Sequence, residues 1–261
     1  MKAYEIINKV FTFGKDFNYT VTCDTLKAGS ADKEVKKLAV NMNPTVDVIK
    51  QAHAWGADML ITHEPLYYNH MDDHSSEPVE CEKRALLEST GMTVYRFHDH
   101  PHRHPQDMIA TGEFRAMDLD GELTYTNLFD TVRCKLNTPM TAVELAKRIE
   151  EKLKIKHIRI AGARDKKITN ITACFGAPGD QMEEFTRDET EVLIMGETCE
   201  WRMAEYARDA AALGKNKTLL VLGHAGSERA GMEYITDCFK ELLPELEIKY
   251  FETDEVYTYT D

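Results

Sequence analysis

Short apolar runs alternate along the chain with amphipathic stretches of helical period. Runs rich in Val, Ile and Leu predict strands near 35–42, 58–62, 92–97, 157–162, 170–176, 192–196, 218–223 and 247–252. Strands that alternate with helices are typical of βαβ units, in which connected strands run parallel. The pattern therefore predicts an α/β fold of two βαβ-rich units with mixed, largely parallel sheets.

Two of the helices carry clear end signals. Thr45 is a candidate N-cap for the helix that holds Val48 and Ala52, and Gly56 is placed to end it. Thr141 followed by Glu144 has the spacing of a capping box and begins a second amphipathic helix. The polar, β-forming segment 122–136 interrupts the alternation and is expected to mark a domain boundary.

Composition narrows the class of partner. With 261 residues, 43% of them hydrophobic, the chain can bury one large core or two modest ones. A formal net charge of −13 argues against binding to a nucleic-acid backbone, because such binding depends on clustered Lys and Arg. A small metabolite or another protein is the expected partner.

The chain has no signs of export or of a membrane anchor. The N-terminal run MKAYEIINKVF lacks the apolar core of a signal peptide, and no stretch approaches the roughly 18 apolar residues of a membrane span. Six scattered cysteines form no CxxC pair, so neither a disulfide framework nor a thiolate zinc site is expected. We expect a cytoplasmic protein with reduced cysteines.

Three polar clusters each follow a predicted strand: His63-Glu64, the histidine-rich loop 98–104, and the run from His224 to Glu228. In open α/β sheets ligands collect at the carboxyl ends of strands, so clusters far apart in sequence can converge there. We therefore expect a metal crevice at this edge. His53, His70, His74 and His157 have no such neighbours and are expected to be surface or helix histidines.

The residue types fit a hydrolytic metal site. Neutral imidazoles and carboxylates are usual ligands of Zn, Fe, Mn or Ni, and about five converging ligands make two divalent ions plausible. His224 and Glu228 lie on one face if a helix starts at or just before His224. Glu197 follows another strand and is a candidate general base or supporting residue.

Each cluster also has an ordinary structural interpretation. A His-Glu pair at a strand end is often only a loop, and the His-x-x-x-Glu spacing is common on solvated helices. The loop 98–104 can equally be mobile and exposed. Residues alone leave these alternatives open.

The order ITHEPLYY, VYRFHDHPH, VLIMGETCEW and VLGHAGSERAGM resembles the NGG-one-interacting-factor-three-like family. That family is known for a dinuclear metal centre and toroidal hexamers, and it is sometimes labelled GTP cyclohydrolase I type two. The resemblance implies two divalent ions per subunit and a homo-oligomer, a hexamer. It also implies a core of 1–125 plus 216–261, with 126–215 as an inserted α/β unit.

The family's ligand pattern is carried over residue by residue. His63, His224 and Glu228 match directly, whereas Glu64 stands at a family His and His102 at a family Asp. This exchange keeps three imidazoles and two carboxylates, and we hypothesise, beyond the family pattern, an exchanged but charge-balanced dinuclear site. The alternatives are that Asp99 supplies the carboxylate after a loop shift, or that only one metal binds. His98 and His100 are further alternate ligands, although His98 is expected beside the metals without being a ligand.

Two functions remain in view. The first is a metal-dependent hydrolase in which metal-bound hydroxide opens a nucleotide, cyclic amidine or ester, with Glu197 as a proton carrier. The second is a non-catalytic metal-binding assembly or regulatory protein whose subunits close into a ring. The cyclohydrolase label is weak support for the first, because nothing in the sequence reads a guanine.

Overall fold

The computed structural model describes residues 1–14, 21–126 and 131–260. Contacts divide the chain into two compact units, Met1–His104 with Gly231–Asp261 and Pro105–Ala230. We call them the first and the second unit. The first unit is thus made of two chain segments and the second of one.

The first unit is built on a five-stranded sheet. Its helices and strands are α1 (Ala3–Val10), β1 (Leu26–Ala28), β2 (Lys37–Asn41), α2 (Val46–Trp55), β3 (Met59–Thr62), α3 (Pro78–Thr90), β4 (Thr93–Arg96), α4 (Asp99–His102), α9 (Arg229–Leu242), which belongs to this unit from residue 231, and β11 (Glu247–Tyr250). The sheet order is β1-β4-β3-β2-β11. All neighbours run parallel except β1, which is antiparallel to β4.

The parallel strands of this sheet are buried. Every residue of β3 and β4 is buried, so neither strand alternates between buried and exposed positions. The helix α2 covers the sheet with Val48, Ile49 and Ala52. Its predicted ends are confirmed: Thr45 Oγ1 accepts a hydrogen bond from Val48 N at 3.2 Å, and Gly56 takes the left-handed conformation.

The second unit is built on a six-stranded mixed sheet. Its elements are α5 (Met108–Met117), β5 (Gly121–Tyr125), β6 (Val132–Thr141), α6 (Ala142–Leu153), β7 (Arg159–Gly162), β8 (Lys167–Cys174), α7 (Met182–Thr186), β9 (Val192–Met195), α8 (Glu205–Ala212) and β10 (Thr218–Val221). The order is β5-β6-β8-β9-β10-β7. The centre, β8-β9-β10, is parallel and the outer pairs are antiparallel.

The capping box at the start of α6 is confirmed. Thr141 N donates to Glu144 Oε2 at 2.6 Å, and Glu144 N donates to Thr141 Oγ1 at 3.1 Å. The segment 122–136 supplies most of the antiparallel neighbours β5 and β6, and its role as a domain boundary stays a prediction. Its residues 127–130 lie outside the described part of the chain.

The units differ from the bounds expected from the resemblance. Those bounds assigned β5 and β10 to the core with the chain ends, yet both strands pair within the second sheet. Residue contacts divide the two units at 104/105 and at 230/231. The expected core of 1–125 plus 216–261 stays a prediction.

No helix in the described ranges is long and apolar enough to cross a membrane. All six cysteines, which lie in those ranges, are free.

Candidate metal centre

Three histidine rings meet at the carboxyl end of β3 and β4. His63 directly follows β3, His98 follows β4 after one intervening residue, and His102 ends the short helix α4. One ring nitrogen from each lies within 4.8 Å of the others, and the Nε2 atoms of His63 and His102 are 3.3 Å apart. We call these three residues the histidine cluster.

The tautomer of His63 follows from its partner. Its Nδ1 lies 3.2 Å from the carbonyl oxygen of Phe97, which can only accept, so Nδ1 carries the proton and Nε2 presents a lone pair. Burial above all, and then the neighbouring His98, His102 and Arg96, lower the pKa of His63 well below its ordinary value. His63 is therefore a neutral donor.

His98 is oriented by the carboxylate that follows it. Its Nδ1 lies 3.0 Å from Asp99 Oδ1, so the proton sits on Nδ1 and Nε2 is a lone-pair donor. Burial alone would raise the pKa of Asp99, but hydrogen bonds from His98, Thr22 and the Cys23 amide hold it well below its usual value. Asp99 acts here as the partner of His98.

Asp24 fixes the turn that carries the cluster. Its buried carboxylate accepts the backbone N–H groups of His98, Asp99 and His100 at 2.7, 2.8 and 2.9 Å. Its Oδ2 also lies 2.5 Å from the His100 ring Nδ1, which engages this histidine away from the cluster. No sequence pattern indicates the role of Asp24, because its partners lie more than seventy residues further along the chain.

Arg96 holds the backbone on the other side. This side chain is 1% exposed, and its Nε donates to His63 O at 3.0 Å. Its guanidinium also donates to His70 O and lies 3.8 Å from Asp72 Oδ2. His70 is exposed as expected, but its ring packs edge-on against His98 at a centroid distance of 5.7 Å.

A second cluster lies in the second unit. His224 Nδ1 is 2.8 Å from Glu197 Oε1, and its Nε2 is 3.2 Å from Glu228 Oε2. Both ring nitrogens thus face carboxylate oxygens. This arrangement is favourable if the ring is an imidazolium that donates from both nitrogens, or if a cation lies between Nε2 and Glu228. We call these three residues the His-Glu cluster.

Two glycines make room for the His-Glu cluster. Gly176 has φ +63°, and a Cβ on it would lie 2.3 Å from Glu228 Oε1. A Cβ on Gly196 would lie 2.5 Å from Ser227 Oγ, which donates to His224 O and accepts from Gly176 N. The backbone therefore approaches the Glu228 carboxylate closely.

The expected helical spacing of His224 and Glu228 is wrong in detail. The helix α9 begins only at Arg229, and a 3-10 turn, Ala225–Ser227, links the two side chains. They meet nevertheless, because one tight turn covers the same four-residue step. Glu64 lies at the end of β3, where its amide donates to Met42 O at 2.9 Å.

The residues present fit divalent cations. Neutral imidazole lone pairs in the first unit, and an imidazole beside a buried carboxylate in the second, are the donors that such ions take. The convergence of both clusters on one site stays a prediction.

Comparison with known proteins gives a family. The model of Duf34/NIF3 (NGG1p interacting factor 3) matches residues 4–256. A protein of Clostridium acetobutylicum named GTP cyclohydrolase 1 type 2 homolog is 24% identical over 210 residues, which cover 78% of this chain and 76% of the relative. A Methanocaldococcus jannaschii protein of the same name is 35% identical over 100 residues, covering 38% and 40%.

Solved structures share the fold. A Bacillus cereus protein related to NIF3 has a TM-score of 0.78 at 13% identity, with 100% of this chain and 99% of that one covered. Reduced HcgD from Methanocaldococcus jannaschii has a TM-score of 0.73 at 20% identity, covering 96% and 97%. Since the family model spans nearly the whole sequence, the chain belongs to the Duf34/NIF3 family.

Proposed function

We propose that this protein is a divalent-metal-dependent hydrolase of small molecules. The observation that carries the proposal is the histidine cluster, in which one ring nitrogen of each histidine lies within 4.8 Å of the others and the Nε2 atoms of His63 and His102 are 3.3 Å apart. A divalent ion bound there lowers the pKa of a coordinated water and polarises the bond to be cleaved. The protein's own contribution is to hold the donors neutral and in place.

We assign two ions per subunit to His63, Glu64, His102, His224 and Glu228. Each unit gathers part of this set in contact: the first His63 and His102, the second His224 and Glu228. His98 is the foremost alternate ligand, since its ring nitrogen belongs to the histidine cluster. Asp99 and His100 are weaker alternates, because their side chains are held by other groups.

Glu197 is the proposed proton carrier. Its carboxylate is 59% exposed and contacts His224 Nδ1, so it can take a proton from the site and release it to water. It also fixes the tautomer of His224, which leaves Nε2 directed at Glu228.

The substrate class is a nucleotide, cyclic amidine or ester, and the relatives' name, GTP cyclohydrolase 1 type 2 homolog, supports only the first of these. We place the protein in the cytoplasm, in keeping with its free cysteines, and expect a homohexameric ring. The rival function is a ring-forming metal-binding protein without catalysis, which the exchanged residues Glu64 and His102 make worth testing.

Metal content and turnover test the proposal together. Elemental analysis of purified protein is expected to give two ions per chain, and fewer in Glu64→Ala. Phosphoesters, cyclic amidines and nucleotides are then screened with Mn or Zn restored, against a His63→Ala, His224→Ala double variant. Turnover no greater than that of the double variant would favour the non-catalytic ring, and metal-free protein that cannot be reloaded would refute both.

A further inference from the structure

The first unit contains a cavity of about 530 Å³ next to the histidine cluster. Its walls include Asn43, Thr45, Glu64, Tyr68, His70 and Lys83. This volume is in the range of small-molecule sites, roughly 300–1,000 Å³. A molecule of metabolite size therefore fits there.

Lys83 brings a buried positive charge to the cavity. Its side chain, from α3, is 6% exposed; its Nζ donates to Leu66 O at 2.5 Å and lies 5.4 Å from the Tyr68 ring centroid. An ammonium has three donors, and the described part of the chain places no carboxylate in ion-pair contact with this one. Burial lowers the pKa of Lys83 to about 8, although the nearby Asp72 carboxylate acts to raise it, so the amine is still mostly charged at neutral pH. A buried cation of this kind favours an anion beside it.

The helix α2 adds a second source of positive potential. Its first turn lines the cavity, and Thr45 satisfies only the amide of Val48 by its side chain. The amides at a helix start carry partial positive charge and bind anions. Asn43 Oδ1, also in the wall, is inaccessible and has no hydrogen-bond partner, so it is available to a donor on the same ligand.

The cavity adjoins the histidine cluster through two residues. Glu64 directly follows His63, and the His70 ring contacts the His98 ring. Because the Glu64 carboxylate repels anions, a negative group is expected at Lys83 and the α2 end. The rest of the molecule would then extend toward Glu64 and His70.

We propose that this cavity binds the oxyanion group, a phosphate or a carboxylate, of the small molecule on which the protein acts, with the Lys83 ammonium and the first-turn amides of α2 as donors. That the bound molecule is a substrate rests on the proposed function, whereas the anion-binding site itself does not. This names a chemical class of substrate: one that carries a phosphate or carboxylate beside the bond to be cleaved.

Binding of inorganic phosphate and of acetate to the full chain, measured by calorimetry at pH 7, tests the inference. Chelator-treated protein is used so that no metal can hold the anion. We expect saturable binding of one of the two anions, which identifies the oxyanion preferred. In Lys83→Met the affinity should fall at least about tenfold, because a charged hydrogen bond is lost, while Lys50→Met, an exposed lysine of α2, should match the wild type.

A second measurement covers the case in which Lys83→Met does not fold. In wild-type protein with ¹³C-labelled lysine, titration of the chelated protein with phosphate or acetate should raise the pKa of the Lys83 amine. No saturable binding of either anion, equal affinity in folded Lys83→Met, or an unmoved Lys83 resonance would overturn the inference.

Metal analysis of the same samples separates the two proposals. Lys83-dependent anion binding in a protein that never loads metal would refute the hydrolase and leave the cavity site intact. Normal metal loading without Lys83-dependent binding would refute the cavity site alone.

Discussion

The histidine cluster and the His-Glu cluster both present ligand atoms of the kind that divalent ions take, but they differ in burial and in the groups that supply those atoms. In the first unit, His63 is fully buried, His102 is 8% exposed, and the donors are ring nitrogens. In the second, the His224 side chain is 28% exposed, and it lies between Glu197 and Glu228. The first cluster presents ring nitrogens only, whereas the second places an imidazole between carboxylates.

The supports of the two clusters differ accordingly. The carboxylate of Asp24 ties three consecutive amides, and Arg96 ties His63 O, so the first cluster is fixed by the backbone. In the second, the exposed carboxylate of Glu197 contacts the His224 ring, Ser227 Oγ donates to His224 O, and the Glu228 carboxylate occupies the space beside Gly176. We infer that the first cluster is organised before any ion binds, whereas the second gains order from its cation.

Removing Asp24 should have the largest effect. Asp24→Ala removes the acceptor of the buried His100 amide, of the partly buried His98 and Asp99 amides and of the His100 ring, so we expect a loss of about 3–5 kcal/mol in the free energy of unfolding. Urea unfolding followed by circular dichroism measures it. Asp32→Ala, at an exposed position, is the control. A loss below about 1 kcal/mol would mean that the turn at 98–100 is stable without the hydrogen bonds to Asp24.

Removing His63 should have the next largest effect, and on metal rather than on folding. His63→Ala deletes a central donor, so metal affinity should fall by on the order of 100-fold, the upper end of what loss of a supporting residue costs. Competition with a chromophoric chelator measures it. His53→Ala, an exposed histidine of α2, should bind like the wild type. If the metal affinity of His63→Ala were unchanged, the first ion would not bind at the histidine cluster.

Removing the charge of Glu197 should have a smaller effect. Glu197→Gln keeps a possible acceptor for His224 Nδ1 but loses its charge, so affinity at the second cluster should fall roughly tenfold. Glu183→Gln, exposed in the same unit, serves as the matched control. If Glu197→Gln weakened metal binding as strongly as His63→Ala, the two clusters would be equally dependent on their supports.

The smallest effect concerns a charge that lies in neither cluster. The Thr141 amide and side chain together with Lys167 lower the pKa of Glu144 to about 2, below its ordinary value of 4.5. Such a group stabilises the fold fully above pH 4.5, and this contribution is lost as the pH falls toward 2. The thermal midpoint of Glu144→Gln should therefore lie slightly below that of the wild type at pH 7 and approach it on acidification.

The matched variant Glu151→Gln, exposed on the same helix, should show no such pH-dependent difference. A difference that stayed constant down to pH 3 would assign the capping contribution of Glu144 to its shape rather than to its charge.

The sequence predicted the strands well because their burial leaves a direct trace. Buried parallel strands such as β3 and β9 need continuous apolar runs, and capping residues such as Thr45 and Thr141 have fixed spacings. The short edge strand β1 has no such trace, since its residues are exposed or half-buried.

The residues that hold the candidate site in place could not be predicted from the sequence, for a related physical reason. Asp24 contacts residues that are brought to it by the pairing of β1 with β4. Lys83 lines a cavity whose other walls come from distant segments of the chain. The candidate ligands, by contrast, stand directly after predicted strands, where the chain must leave the sheet. Polar residues at strand ends can be recognised in the sequence, whereas their contacts can be seen only in the structure.

The pairing of β11 with β2 sets an order of events during synthesis. β2 is made early, but its parallel neighbour β11 comes from the far end of the chain. The second unit is one continuous segment and can close its sheet while the ribosome is still adding residues. Until residue 250 has emerged, the first sheet exposes an open strand edge at β2, an edge of the kind that invites pairing with other chains. The β2 edge is thus covered only after the whole second unit has been made, although all three residues of the histidine cluster precede that unit in the chain.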